Sequence, residues 1–236
     1  MKEKIVKRHS KMTIAASALA LVLAASVGSG AAQAGHREGP MRDITLHAKL
    51  AELNNSGVTG YATAQIRRER IKKMTVHAEG LTPDAPHAQH IHYGETAKKE
   101  CPTLALDTNK DGRLTTAEGV PAYGPVVLSL TTKGDTTPAS FLDVTRMPVA
   151  KNGEYHYTRN NLRFSDVKGL GYPGTDGTGT ASEIAKAIRD GEGVVVIHGQ
   201  DYDGNGAYSL SEEGPSELDP ALPAEATDPV ACGVLK

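Results

Sequence analysis

The sequence predicts an all-β domain, a sandwich or barrel, on three observations. Short runs of alternating apolar and polar residues recur from residue 44 onward, and clusters of Asn, Gly and Pro separate them. Only residues 182–189 carry a helical signature, with Ser182 placed to cap the first turn. With no Trp and two Phe, the core must be assembled from Val, Ile, Leu, Ala and Tyr.

Residues 44–50 alternate as a half-buried strand should, and Asn54, Asn55, Ser56 and Gly57 then signal a turn. Residues 58–66 and 73–77 read as the next strands, before Gly80 and Pro83 break the pattern. Further strands are expected at 87–93, 126–130, 140–144, 155–162 and 194–198. Residues 169–179 are glycine-rich but lack the Gly-Lys-Ser/Thr ending of a phosphate loop, so they read as a surface loop. Residues 212–228 hold six acids, no base and three prolines, which predicts an extended, mobile segment.

The N-terminus reads as an export signal. Lys2, Lys4, Lys7, Arg8 and Lys11 precede an apolar run at 13–27, and Ala32-Gln33-Ala34 supplies a small-x-small cleavage pattern after Ala34. The run is shorter than the roughly 18–20 residues of a spanning helix. The expectation is therefore a secreted protein, extracellular or in the cell envelope, without a membrane span. Residues 35–42 would be a flexible lead and residues 43–236 one domain. Without residues 1–34 the chain keeps 21 of its 26 basic and 27 of its 28 acidic residues, a formal net charge of −6. Such a surface argues against nucleic acid as a partner. Cys101 and Cys232 are the only cysteines, and a lone pair in an exported chain predicts one disulfide.

Two acidic loops predict calcium. A calcium ion takes six to eight oxygens, and a twelve-residue EF-hand loop supplies them from positions 1, 3, 5, 7, 9 and 12, with glycine at position 6 for a sharp turn. Residues 107–118 fit throughout: Asp107, Asn109, Asp111, the carbonyl of Arg113, Thr115 and Glu118, with Gly112 at the turn. Residues 201–212 fit again: Asp201, Asp203, Asn205, the carbonyl of Ala207, Ser209 and Glu212, with Gly206 at the turn. Two calcium ions are expected. Full flanking helices are not, because a strand leads into the second loop and Gly119 and Pro121 follow the first. A structural role fits this better than a sensor's, which works by swinging helices apart. If the loops pair as EF-hand loops do, residues 113–115 and 207–209 lie side by side, with Leu114 and Tyr208 turned inward.

His90 and His92, two apart on a strand, share one face and can hold one metal together. Imidazole suits copper and zinc. The run from Gly80 through His87, His90, Ile91, His92 and Gly94 resembles the copper-binding strand of copper/zinc superoxide dismutases. Cys101 follows at that family's disulfide spacing. Residues 194–198 resemble the strand carrying its last copper histidine, and Ala231-Cys232-Gly233-Val234-Leu235 its C-terminal strand. The resemblance implies an eight-stranded Greek-key β-barrel with EF-hand-like loop insertions. It also implies copper ligands at His90, His92 and His198, a structural role for His87, and a Cys101–Cys232 disulfide.

The chain departs from that family in ways that bear on activity. Between Cys101 and His156 there is no histidine to bridge copper and zinc. The zinc-binding cluster is missing, so zinc is not expected. Pro229 stands where the family has its channel arginine. His156 reads as an ordinary strand residue. The two acidic loops fall where the family has its zinc and electrostatic loops. The expected function is a secreted calcium-binding, dismutase-like protein, calcium ordering the loops beside a partial copper site, with little or no dismutase activity. The alternative is a copper-only superoxide dismutase. No feature of the sequence points to a protein partner.

Overall fold

The computed structural model describes residues 42–167 and 179–236. Residues 1–41, where the export signal is expected, and most of the glycine-rich stretch lie outside the described residues.

Eight antiparallel strands form one sheet: β1 (Ile44–Glu52), β2 (Thr59–Arg67), β3 (Arg70–Glu79), β4 (Gln89–His92), β5 (Val126–Ser129), β6 (Glu154–Arg163), β7 (Val194–His198) and β8 (Pro229–Val234). Their order is β5-β4-β7-β8-β1-β2-β3-β6. Alternation decides the faces. In β1, Leu46, Ala48 and Leu50 are buried while Thr45, His47 and Lys49 are exposed. In β6, Tyr155, Tyr157 and Leu162 are buried and His156 and Thr158 exposed. The inward residues of all eight strands share one apolar core, so the sheet curls into a half-barrel. Buried tyrosines draw its edges together: Tyr155 Oη donates to Gln89 Oε1, and Tyr157 Oη to the Thr131 carbonyl. Both hydroxyls are thereby satisfied inside the core, where an unmade bond would cost about 1–3 kcal/mol.

Three short helices lie outside the sheet: α1 (Thr116–Tyr123), α2 (Ala181–Ala187) and α3 (Ala224–Thr227). No helix among the described residues is long and apolar enough to cross a membrane. The disulfide between Cys101 and Cys232 joins the segment after β4 to β8.

Three local expectations are corrected. Residues 140–144 are not a strand but lie between 3-10 turns (Pro138–Ser140 and Val144–Arg146), because Asp135 Oδ2 accepts from Thr137 N, Thr137 Oγ1 and Ser140 Oγ and curls the chain around itself. The cap of α2 is Thr180 rather than Ser182; its hydroxyl accepts from Glu183 N and the Glu183 carboxylate bonds back. Residues 212–228 are no extended tail. They fold back onto the domain, with Ser216, Ala224, Glu225, Ala226, Thr227 and Asp228 buried.

Candidate metal centres

The first centre is built by β4 and β7. Ile91 points into the core, which turns its neighbours His90 and His92 to the opposite face of β4. Antiparallel β7 lies alongside with His90 opposite Val196, and its last residue is His198. Each of the three histidines offers one ring nitrogen within 4.8 Å of the others, and all three side chains are buried.

The hydrogen bonds fix the tautomers. His90 Nε2 donates to the Phe141 carbonyl at 3.0 Å, His92 Nδ1 to the Gly124 carbonyl at 2.8 Å, and His198 Nδ1 to the Thr227 carbonyl at 2.7 Å. A carbonyl can only accept, so in each ring that nitrogen carries the proton and the other keeps a bare lone pair. Those other nitrogens, His90 Nδ1, His92 Nε2 and His198 Nε2, are buried and have no hydrogen-bond partner among the described residues. Burial, reinforced by neighbouring imidazoles, lowers the His92 pKa to about 3 and holds His90 well below the usual histidine range. Burial lowers that of His198 to about 4. Near neutral pH all three rings are uncharged. Three neutral imidazoles with converging lone pairs, each oriented from behind by a carbonyl, are a donor set for a borderline transition metal.

The approach to these rings is narrow and apolar. A crevice of about 10 Å³ reaches His90 and His198 between Phe141, Leu142, Val144, Leu218, Leu222 and Ala226; among the described residues no Lys or Arg lines it. His87, on the same segment, is occupied otherwise. Its two ring nitrogens face the carbonyls of His198 at 2.9 Å and Thr82 at 3.2 Å, and Tyr208 Oη lies 3.1 Å from Nδ1. His156 lies on β6, outside this triad.

The two acidic loops share one lattice of backbone-to-side-chain bonds. In the first, Asp107 accepts from Lys110 N and Gly112 N, Asn109 from Asp111 N, and Asp111 from Arg113 N. In the second, Asp201 accepts from Gly204 N and Gly206 N, Asp203 from Asn205 N, and Asn205 from Ala207 N. The partners match position for position. Gly112 and Gly206 have φ of +88° and +85°, which an L side chain rarely adopts.

The first loop closes on the glutamate its spacing predicts, and the second on a different one. Glu118, in the first turn of α1, accepts from Thr108 N on Oε1 and from Thr115 N on Oε2, the second and ninth positions of its loop. In the second loop the same two positions, Tyr202 N and Ser209 N, donate to Oε1 and Oε2 of Glu225 in α3. Glu225 is fully buried and groups with Asp201 and Asp203. Glu212, expected there from spacing, is exposed and outside the group. The signal that could have found Glu225 is its place: like Glu118, it is an acid in the first turn of a helix.

The expected ribbon between residues 113–115 and 207–209 does not form. Leu114 is buried, yet its N–H and carbonyl bond the carboxamide of Asn54, at 2.7 and 2.9 Å, and Tyr208 turns to His87. The loops meet instead at Asp228. Its Oδ2 accepts from Arg113, seventh in the first loop, and from the hydroxyl of Tyr202, second in the other. Burial raises the Asp228 pKa to about 7 against the pull of Arg113.

No model of a known protein family matches this chain, and neither does any curated protein.

Proposed function

We propose that this chain is an exported, calcium-binding protein built like a superoxide dismutase, with copper held by His90, His92 and His198 and with little or no dismutase activity. The observation that carries the reading is the triad of buried imidazoles whose partnerless nitrogens converge. Partnerless buried nitrogens are costly, and a metal ion that ligates all three removes that cost. Three neutral imidazoles suit copper; zinc has no part in this reading. The disulfide supports export, since such bonds persist in oxidising compartments.

The duplicated lattice supports calcium in both loops. It holds the side chains of positions 1, 3 and 5 in the same order in each loop, and in the second loop Asp201 and Asp203 group with Glu225, oxygen donors of the kind a hard cation requires. The first ion would be held by Asp107, Asn109, Asp111, the Arg113 carbonyl, Thr115 and Glu118. The second would be held by Asp201, Asp203, Asn205, the Ala207 carbonyl, Ser209 and, in place of Glu212, Glu225.

Low activity follows from the approach. Dismutases steer an anionic substrate with positive potential. Here the crevice is apolar, Arg113 is spent on Asp228, and Pro229 begins β8. A copper-only dismutase is the second reading, favoured by a crevice that does reach two of the three histidines. Metal analysis and superoxide consumption by the copper- and calcium-loaded chain decide between them. The first reading expects one copper and two calcium ions per chain and a kcat/KM far below the ceiling of about 10⁸–10⁹ M⁻¹s⁻¹. A rate at that ceiling establishes the second.

A further inference from the structure

We propose a separate, solvent-facing site for a divalent transition metal on the outer surface of the sheet, formed by His77, His156 and Glu154. It shares no residue with the buried triad or the acidic loops and does not depend on the reading of either.

Register brings the residues together. His77 of β3 and His156 of β6 are directly opposite partners. Their chain neighbours Val76, Ala78, Tyr155 and Tyr157 are buried in the core, so both imidazoles point outward. The rings stack with centroids 4.2 Å apart and planes 22° from parallel. Glu154 lies two residues before His156 and shares its face. Glu154 Oε1 is 2.9 Å from His156 Nε2 and 3.7 Å from His77 Nδ1. One donor atom from each residue lies within 4.8 Å of the other two.

These separations fit one ion. Two ligands at about 2.0–2.1 Å on a tetrahedral zinc stand roughly 3.3–3.4 Å apart, which 2.9 and 3.7 Å bracket. A small movement of the exposed Glu154 side chain would equalise them.

Two features look unfavourable without an ion. His77 Nδ1 is a buried atom with no hydrogen-bond partner, although it faces Glu154. Glu154 itself is the register partner of Glu79, and like charges directly opposite across a sheet destabilise it. A divalent ion ligated by His77 Nδ1 and Glu154 offsets both. Two imidazoles with one carboxylate are a donor set that zinc accepts, and the imidazoles select zinc or copper(II) over calcium. With three protein ligands on an open surface, the remaining position falls to water, so the ion exchanges freely with solution.

The test is zinc titration of the intact, calcium-replete chain whose buried triad has first been filled with one equivalent of Cu(I), kept reduced so that no copper(II) occupies the surface site. Wild type should bind one further zinc, and the ring resonances of His77 and His156 should shift in its NMR spectrum. His156→Ala and Glu154→Gln, both at exposed positions, should each weaken that zinc at least tenfold without lowering the metal-free unfolding temperature. Zinc binding that leaves the two rings unshifted, equal affinity in His156→Ala, or no further zinc bound by wild type would each overturn the proposal. The ring shifts are read on wild type and need no variant to fold.

Discussion

Glu118 and Glu225 accept the same two backbone N–H groups, the second and ninth, of their respective loops. One lies three residues past its loop's ninth position and the other sixteen, yet both sit in the first turn of a helix. The intervening stretch of the second loop makes an excursion that returns through Pro215 and Pro223, which form an isolated bridge. In the second loop, position in space and not spacing in sequence therefore decides which carboxylate closes it.

Calcium titration by calorimetry separates the two glutamates. Glu225→Gln should remove the second calcium ion, and Glu118→Gln the first. Glu212→Gln should leave both affinities within twofold of wild type. Loss of an ion in Glu212→Gln with retention in Glu225→Gln would reverse the assignment. At a hundredfold excess over Kd, each bound ion should add about 2.7 kcal/mol of stability.

Asn54 should prove a stability residue of the first loop. Its carboxamide holds Leu114 by two bonds and also donates to the Pro229 carbonyl at 3.0 Å. At about 0.5–1.5 kcal/mol for each bond, Asn54→Ala should cost roughly 2–4 kcal/mol in urea unfolding. Its φ of +54° adds to the cost, since Asn tolerates that conformation better than Ala. A loss under 1 kcal/mol would show that Leu114 finds other partners.

Acid should destabilise the metal-free protein early. The triad histidines titrate lower in the folded chain than in the unfolded one, where they stay near 6.5. Lowered folded values mean that stability is fully present above pH 6.5. It falls as pH drops, because the unfolded chain takes up protons that the folded chain refuses. By pH 5 the loss should reach about 2 kcal/mol for each of His92 and His198, with His90 adding in the same direction. Urea midpoints from pH 7 to pH 4.5 measure it. Replacing His92 by Asn should flatten the slope, and a flat wild-type profile would mean that these rings protonate in place.

The disulfide closes a loop of 131 residues. The chain-entropy relation gives roughly 4–5 kcal/mol for such a loop. The Cys101→Ser/Cys232→Ser chain should lose stability on that scale. It should also lose copper affinity if β8 and the segment after β4 part. Unchanged urea midpoints would place the stabilisation elsewhere.

Strand positions were legible because one face of each strand is wet and the other dry. Period-2 alternation in residues such as Leu46, Ala48 and Leu50 records that directly. The triad was legible in part: His90 and His92 by their spacing, His198 only by resemblance. Residues 212–228 were misread because composition counts charges without their partners. Glu225 accepts from loop N–H groups and Asp228 pairs with Arg113, 115 residues away, so neither is a solvated acid. The stretch at 140–144 carries apolar residues at strand-like spacing, but Ser140, Phe141 and Asp143 N–H donate to the Thr137, Pro138 and Ser140 carbonyls of the turns that Asp135 holds, and are lost to a ladder. The His77–His156 pair was hidden because register, unlike alternation, leaves no mark on either strand alone.

The closing helices of both loops converge on one histidine, and this predicts coupling between the metals. Thr116, tenth in the first loop and the first residue of α1, donates to the Thr227 carbonyl. Thr227 lies two residues after Glu225 in α3, and its carbonyl accepts from His198 Nδ1. Thr116 Oγ1 itself lies 3.3 Å from that nitrogen. Calcium that fixes Glu118 and Glu225 therefore fixes the carbonyl that sets the tautomer and direction of the His198 ring. A ligand oriented in advance binds its metal more tightly, and loss of such a supporting bond typically costs 10–100-fold in affinity. Removing calcium should weaken copper at least tenfold, measured by competition with a chromophoric Cu(I) chelator. Copper should strengthen calcium by the same factor, since binding linkage is reciprocal. Thr116→Val should shrink the factor while both loops still fill. Equal copper affinity in calcium and in chelator, with two calcium ions shown to bind, would mean that α1 and α3 hold His198 in place without them.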